Sequence, residues 1–164
     1  MKKITTIALC LLALISLYAC NNDLNKVFDP ETPQVEFQPA VINAASVGRT
    51  YPLLTIATST TAGATILPQL NLVGRQRSAD LPVRVFVDPT STAAASSYTI
   101  SNGGVATFAA AGAPTSSTVA MTITVAKASS ATAPFGNLIL VIDSTSADFK
   151  PSQNYKRIGY SFRQ

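Results

Sequence analysis

From residue 34 onward, hydrophobic and polar positions alternate in short runs that predict β-strands. In 81–88, Val83, Val85 and Val87 share one face, and Arg84, Phe86 and Asp88 share the other. A period of two residues is typical of a strand that buries one face. Comparable runs recur at short spacing between turn-forming residues. The predicted strands cover 34–43, 51–59, 66–73, 81–88, 97–101, 105–109, 117–127, 137–143 and 154–163.

Three further runs predict which strand faces form the core. In 117–127 the inward set is Val119, Met121, Ile123 and Val125, and in the last strand it is Ile158, Tyr160 and Phe162. The outward set of the last strand is Arg157, Ser161 and Arg163. The stretch 138–142 is apolar on both faces, which predicts a central strand. The turn at 102–104, Asn-Gly-Gly, predicts a tight hairpin between two short strands.

The same pattern predicts the fold class and the main domain. No segment of 34–164 shows a convincing helical stripe, and the Ala-rich stretches 92–95 and 108–113 are expected to be loops or single turns. An all-β chain with eight or nine strands must close its sheet or pack two sheets together. We therefore predict an all-β, immunoglobulin-like, two-sheet antiparallel sandwich over 34–164. The cysteine pair and the tryptophan of antibody domains are missing, so strand number and spacing alone support this prediction.

The N-terminal region predicts export and lipidation. A basic start at Lys2 and Lys3 precedes an apolar run over 4–18, which suits a signal peptide and is shorter than the roughly 20 residues of a membrane span. The run ends in Ala19-Cys20, which resembles the bacterial lipobox, although Tyr18 departs from its strictest form. We expect a lipoprotein signal peptide over 1–19 and a tether over 20–33 with lipidated Cys20. The alternative is an ordinary signal peptide beside an incidental cysteine.

The cysteines and charges are consistent with this interpretation. Cys10 would leave with the signal peptide, and Cys20 would then be the only thiol of an exported protein. Acyl chains on Cys20 would anchor the protein in the membrane. We expect an outer-membrane, lipid-anchored and surface-exposed protein, or otherwise one that faces the periplasm. Some bacteria place an acidic sorting signal just after the lipidated cysteine, and here Asp23 alone would match it.

Composition excludes several kinds of chemistry. The chain has no histidine, so triads, metal sites and acid–base mechanisms that need one are excluded within it. Loss of Lys2 and Lys3 would leave 10 basic and 8 acidic residues, and no basic run exceeds Lys156-Arg157, so a nucleic-acid partner is not expected. Asp80 and Asp88 lie at opposite ends of one predicted strand and do not form a glycosidase pair. We expect a protein that is not an enzyme.

Several of these segments together resemble a known group of domains. They are 70–74, 78–88, 97–100, 122–125 and 138–142, with Tyr155 in the final strand. Over Val35 to Arg163 the chain resembles small surface-lipoprotein domains of unknown function from Bacteroidota. These are related to N-terminal modules of Sus-type glycan-utilisation lipoproteins and, more distantly, to Calx-β domains. The resemblance implies a Calx-β-like, immunoglobulin-like fold.

Calcium binding by Calx-β domains needs clustered carboxylates, which this chain does not match. Its best local candidate is 143–148, which begins and ends with Asp143 and Asp148 and lacks the glycine and closing glutamate of an EF-hand loop. A polar loop is the simpler interpretation, and we expect no metal site and no cofactor.

The candidate ligand-binding residues are few. Phe135 lies between Pro134 and Gly136 in a predicted loop and is the best exposed aromatic platform for a sugar. Arg75 and Arg77 follow Gly74 in a turn and could bind an anionic group, although a solvated loop is the simpler interpretation. Tyr98 is expected to be a packing residue.

These observations predict a membrane-anchored, non-catalytic binding module of a cell-surface glycan-uptake or envelope system. Its partners would be the membrane, through Cys20, and a polysaccharide or an envelope protein. The alternative is a structural or adhesive envelope component, such as a pilus or matrix subunit. An open edge strand that accepts another chain would favour this alternative.

Overall fold

The computed structural model describes residues 32–164. The predicted signal peptide, Cys20 and nearly all of the predicted tether lie outside the described residues. The strands are β1 Gln34–Phe37, β2 Leu53–Thr55, β3 Ala64–Ile66, β4 Gln69–Val73, β5 Leu81–Val87, β6 Tyr98–Ile100, β7 Val105–Phe108, β8 Thr118–Ala120, β9 Ile123–Val125, β10 Phe135–Ile142, β11 Lys150–Pro151 and β12 Arg157–Arg163. One short helix, α1, covers Gln38–Ile42. Over residues 32–164, no helix has the length and apolar character needed to cross a bilayer.

The first sheet contains two long strands that are each interrupted once. β4 pairs with β8, and β3 pairs with β9, in one unbroken antiparallel register. Between them the Met121 amide donates to the Pro68 carbonyl at 3.1 Å, so the pairing continues through a residue that has no amide hydrogen of its own. β1 lies beside β4, β11 lies beside β1, and β6 lies beside β9. The predicted single strand over 117–127 is thus two collinear strands.

The second sheet has the order β2-β12-β10-β5-β7. All of its neighbours are antiparallel except β2 and β12, which run parallel. In the immunoglobulin type, the first, second, fifth and fourth strands form one sheet, and the third, sixth and seventh form the other. Here β1, β3 with β4, β8 with β9, and β6 follow that order in the first sheet, and β5, β10 and β12 form the second, while β2, β7 and β11 are additional strands at the edges. The predicted all-β, immunoglobulin-like sandwich is confirmed.

The core lies between the inner faces of the two sheets, and it contains the residues that alternation assigns to it. Buried side chains from the first sheet include Met121, Ile123 and Val125. Those from the second sheet include Ile158, Tyr160 and Phe162 of β12, which are all buried as predicted. β10 lies between β5 and β12, which confirms its predicted central position. Tyr98 is partly buried and packs against this core, also as predicted.

Three local predictions are wrong. Phe135, predicted to lie in a loop, is the first residue of β10, because it pairs with Arg163 of β12. The predicted strand over 34–43 ends at Phe37, because Pro39 cannot donate to a ladder and its fixed φ suits the first turn of a helix, so α1 follows. The predicted hairpin at 102–104 is a left-handed turn, with φ of 51° at Asn102 and 59° at Gly103. However, it joins β6 of the first sheet to β7 of the second, and these strands do not pair with each other. The sequence thus correctly predicts a tight turn at this position, but not which strands it connects.

Candidate functional site

The outer face of the second sheet carries a cluster of arginines and aromatic rings. Its members lie on β5, β10 and β12 and in the segment that leads into β2, and we call the cluster the arginine–aromatic face. The residues are Arg49, Tyr51, Arg84, Phe86, Phe135, Arg157 and Arg163. Four arginine–aromatic pairs are found in residues 32–164, and all four belong to this face.

Strand register brings these residues together from distant parts of the sequence. Along β10, Phe135 lies opposite Arg163, and Val141 lies between Arg157 on one side and Phe86 on the other. Because side chains alternate along a strand, all of these residues project to the same side of the sheet. Asp143, just beyond β10, donates its amide to the Arg84 carbonyl at 2.9 Å and extends this arrangement.

One end of the face is the pair Phe135 and Arg163. The Arg163 guanidinium carbon lies 4.7 Å from the centre of the Phe135 ring, within the range of a cation–π interaction. Arg163 Nη1 also donates to the Ala133 carbonyl at 2.6 Å, which fixes the guanidinium over the ring. Phe135 nevertheless remains 51% exposed, so a flat apolar surface beside a cation faces solvent.

The other end is the pair Phe86 and Arg84, two residues apart on β5. The Arg84 guanidinium carbon lies 5.5 Å from the centre of the Phe86 ring. Phe86 is 43% exposed, and Arg84 is also exposed. Both ends of the face thus present an aromatic ring with a guanidinium beside it.

The middle of the face is a stacked arrangement around Tyr51. The guanidinium carbons of Arg49 and Arg157 lie 5.6 and 5.5 Å from the centre of its ring. Arg49 Nη1 donates to the Tyr51 hydroxyl at 2.9 Å, and Arg157 Nη2 pairs with Asp88 Oδ2 at 2.7 Å. Unlike Phe86 and Phe135, Tyr51 is buried, so this part of the face is a structural centre that orients two cations.

Gly159 allows Tyr51 to lie against the sheet. A Cβ atom on Gly159 would lie 3.2 Å from Cε2 of Tyr51 and 2.7 Å from Cδ1 of Leu53, which is closer than packed carbons approach. A side chain at this position of β12 would require the side chains of Leu53 and Tyr51 to shift. The small size of Gly159 thus favours close packing of Tyr51 against the outer face of β12.

Asp88 is the buried anion of the face. Its Oδ1 accepts hydrogen bonds from the Thr90 amide at 2.9 Å and the Thr90 hydroxyl at 2.6 Å. These bonds, and then the charge of Arg157, hold the pKa of Asp88 below its ordinary value of 3.8, against the opposing effect of burial. Asp88 therefore stays ionised at neutral pH and serves as the counter-ion of Arg157.

Replacing Asp88 by Asn is expected to lower the free energy of unfolding by about 1.5–3 kcal/mol at pH 7, the usual worth of hydrogen bonds to a charged group. Because the native pKa is lowered, the stabilisation is fully present above the ordinary value of 3.8 and disappears as the pH falls through the native value. Urea denaturation at a series of pH values measures this difference between the wild type and Asp88→Asn. A difference that persists undiminished well below pH 3.8 would contradict the assignment. Thr90→Ala should raise the pKa of Asp88, as followed by carboxyl NMR, more than Arg157→Gln does.

The residues proposed from sequence are not brought together. Phe135 lies on the arginine–aromatic face, whereas Arg75 and Arg77 lie in the loop after β4 of the first sheet. Arg77 Nη2 pairs there with Asp148 Oδ1 at 2.9 Å, and both side chains are partly exposed. Of the three candidates, only Phe135 belongs to this face.

The acidic residues considered from sequence have local structural partners. Asp143 Oδ1 accepts bonds from the Thr145 amide and hydroxyl, both at 2.8 Å, while Asp148 pairs with Arg77. Asp80 Oδ1 accepts a bond from the Ala110 amide at 2.9 Å. Within residues 32–164, no three potential metal-ligating side chains come together. These carboxylates cap turns and loops.

Sequence reasoning missed most of the face, although part of the signal was present. Alternation places Arg84 and Phe86 on one side of β5, and Arg157 and Arg163 on the outer side of β12. It does not show that β10 joins these two strands, nor that Tyr51 from the segment before β2 packs beside Arg157 of β12. The missing information was which strands are neighbours.

Comparison with known proteins supports the fold. No protein-family model matches the chain, and no curated protein matches it significantly. Among solved structures, the chain is similar to a "putative carbohydrate binding protein" from Bacteroides ovatus ATCC 8483, with a TM-score of 0.52 and 10% identity over 80% of this chain and 37% of the other. It is also similar to a two-domain protein of unknown function from Bacteroides fragilis NCTC 9343, with a TM-score of 0.51 and 9% identity over 87% of this chain and 50% of the other.

A third similar structure is EndoBT-3987 of Bacteroides thetaiotaomicron with a Man5GlcNAc product, at a TM-score of 0.49 and 11% identity over 79% of this chain and 30% of the other. The chain spans half or less of the length of each of these neighbours. At such identities the likeness to the first two neighbours shows the fold alone, an all-β sandwich.

Proposed function

We propose that this chain is a membrane-anchored lipoprotein that acts as a non-catalytic glycan-binding module of a cell-surface glycan-uptake or envelope system. The observation that carries the proposal is the exposed Phe135 ring beside the fixed guanidinium of Arg163. An aromatic ring offers an apolar platform for the C–H face of a sugar, and a guanidinium offers several donors for hydroxyl or acidic groups. The fold-level likeness to the carbohydrate-binding neighbour from B. ovatus is in keeping with this role.

A non-catalytic role agrees with the local chemistry. Glycoside hydrolysis requires two carboxylates that face the same bond. Asp80, Asp143 and Asp148 each accept a bond or form an ion pair that holds a loop, and Asp88 is held by Thr90 and Arg157. We therefore assign glycan retention rather than glycan cleavage to this module, in the manner of an accessory protein of a Sus-type system.

The structural or adhesive alternative requires an edge strand long enough to pair with another chain. The strands with an unpaired edge, β2, β3, β6, β7, β8 and β11, contain two to four residues each. Short edge strands are a common means of avoiding edge-to-edge pairing. The described part of the chain therefore gives donor-strand assembly no specific support.

The binding proposal is tested on a glycan array with purified protein that carries Cys20→Ala and so lacks the acylation site. Phe135→Ala in this background should weaken binding of every positive glycan by about tenfold, which corresponds to 1.4 kcal/mol. Leu67→Ala is the matched control, because Leu67 is also exposed, at 61%, but lies between β3 and β4, away from the arginine–aromatic face. Equal losses in both variants, or an array without a positive glycan, would reject the proposal.

The anchoring proposal is tested separately by intact mass and by protease accessibility on whole cells. Wild-type protein expressed in a bacterial host should carry the mass of two or three acyl chains and be cleaved from the cell surface. Cys20→Ala should remove the added mass and release the protein from the membrane. An unacylated wild-type protein, soluble in the periplasm, would rule out lipid anchoring and surface display.

A further inference from the structure

We infer that the arginine–aromatic face binds an acidic polysaccharide, whose carboxylate or sulfate groups are held by the arginines while sugar rings contact Phe86 and Phe135. This inference rests on the proposed glycan-binding function and names the class of glycan. Four features of the molecule support it: the positive charge of the face, the orientation of its guanidinium groups, its length, and its contrast with the outer face of the first sheet.

The face is positively charged. Among the residues that define it, only the arginines carry positive charge. Four arginines are accompanied by Asp88 and Asp143, which leaves a formal charge of +2. The planar guanidinium group matches carboxylate and sulfate groups with two parallel hydrogen bonds, which a lysine ammonium does not do. Charge complementarity therefore favours an acidic ligand over a neutral one.

Hydrogen bonds orient the guanidinium groups of the face but use only some of their N–H donors. The bonds from Arg49 to Tyr51, from Arg157 to Asp88 and from Arg163 to Ala133 each fix a side chain in place. A guanidinium has five N–H donors, so one such bond leaves others for a ligand. Prior orientation of the side chains reduces the entropy lost on binding. Arg84 is exposed beside Phe86 at the end of the face.

The length of the face suits a chain of sugars. Phe86 lies opposite Val141, and Phe135 lies six residues away from Val141 on the same strand. At the usual rise of a strand the two aromatic ends are roughly 20 Å apart. Between them, Asn137 and Ser161 lie opposite each other on the outer side and supply polar groups. An extended ligand of several rings can contact both ends, whereas a single small molecule cannot.

The outer face of the first sheet has a different chemistry. Its central feature is Asn71, which donates to Glu36 and Gln38 and accepts a bond from Gln69. These amide and carboxylate groups largely satisfy one another, and Glu36 adds a negative charge. Among the described residues, the four arginine–aromatic pairs all lie on the second sheet, so the second sheet is the favoured surface for an acidic polymer.

An acidic polysaccharide also fits better than a nucleic acid or an anionic membrane. Binding to a phosphate backbone depends on neutralising many successive charges with basic groups. Here Asp88 and Asp143 lie among the arginines, and the face keeps only a modest positive charge. Exposed rings at its two ends provide the stacking contacts that a sugar chain uses.

The inference is tested by affinity electrophoresis and calorimetry with two pairs of polymers, each pair sharing a backbone and differing in its charged groups. Protein with Cys20→Ala is expected to bind polygalacturonate or dextran sulfate, and to bind methyl-esterified polygalacturonate and unmodified dextran at least about tenfold more weakly, a difference of 1.4 kcal/mol. The two charged polymers separate carboxylate from sulfate recognition, and binding of either one supports the inference. Affinity for the charged polymer should fall as NaCl is raised.

The role of the arginines in binding is tested with the double variant Arg84→Gln and Arg163→Gln, which leaves the Arg157–Asp88 pair intact. It should weaken binding of the charged polymer at least about tenfold, again 1.4 kcal/mol. Arg77→Gln removes the same kind of charge outside the face and should change affinity less than about twofold. Thermal unfolding checks that the variants are folded, and Arg84→Gln alone, at an exposed position, provides a second test. An equal loss in Arg77→Gln would overturn the assignment of the face.

The remaining outcomes separate this inference from the proposed function. If the protein binds neutral glycans on the array but discriminates against neither neutral polymer, the inference is wrong and the proposed glycan-binding function stands. If no glycan or polysaccharide binds, both are wrong. Tighter binding to a single-stranded DNA oligonucleotide or to phosphatidylserine vesicles than to either acidic polysaccharide would also overturn the inference.

Discussion

Phe162→Ala is expected to lower the free energy of unfolding by about 3–5 kcal/mol, the range for removing a buried phenylalanine. Phe162 has no exposed surface and projects from β12 into the space between the sheets. Its removal leaves a cavity between two sheets, each held by its own hydrogen bonds, so the surroundings cannot readily collapse to fill it. Urea denaturation followed by circular dichroism measures the loss.

The matched control for this prediction is Phe135→Ala, which removes the same side chain from the outer face of the adjacent strand. Phe135 is 51% exposed, so its removal should cost less than about 1 kcal/mol, as for most surface substitutions. The two variants thus separate stability from binding, since only Phe135→Ala should weaken glycan binding while the fold is retained. Similar losses of stability in both would mean that the inner and outer faces of the second sheet are wrongly assigned.

Gly104→Ala is expected to be the other strongly destabilising change, with a loss of about 2–5 kcal/mol. Gly104 has a φ of 85°, which costs a residue with a side chain about 1–2 kcal/mol. A Cβ atom there would also lie 2.5 Å from the backbone carbonyl oxygen of Val85, and overpacking of this kind costs about 1–3 kcal/mol. The same denaturation experiment gives the value.

Gly103→Ala isolates one of these two contributions. Gly103 also has a positive φ, of 59°, but a Cβ atom there would meet nothing within 4 Å. It should therefore show only the backbone cost of about 1–2 kcal/mol. If Gly103→Ala and Gly104→Ala were equally destabilising, the close approach of Gly104 to β5 would have no energetic effect, contrary to the structure.

Local patterns predicted most of the strands because a buried face leaves a period of two in the sequence. β5 and β12 are clear cases, since their valines and their Ile158, Tyr160 and Phe162 series have no other explanation. α1 was missed because five residues are too few to show a helical period, and Pro39 was the only local indication of a helical turn. The Asn102 turn was recognised, but a left-handed turn has the same sequence whether it joins paired strands or crosses between sheets.

The candidate site was less predictable than the fold because it is assembled by register. Phe135 could be proposed from its exposed setting between proline and glycine. Its companions Arg84 and Arg163 become neighbours of the same face only through β10, which is far from either in sequence. Arg75 and Arg77 are suggested by their position in a turn after Gly74, yet the arginines that cluster in space come from three separate segments, around 49, 84 and 157–163. Distance along the chain was a poor guide to shared chemistry.

The parallel pairing of β2 with β12 gives the sandwich a mechanical property. Gly159, Tyr160 and Ser161 of β12 pair with the three residues of β2, and both strands point the same way. A force that pulls the chain before β2 away from the chain after β12 therefore acts along the two strands in opposite directions. It shears the pair and loads its hydrogen bonds together, whereas an antiparallel hairpin pulled from its open end would release them one after another. Tension that reaches this pair is therefore resisted by its three residue pairs at once.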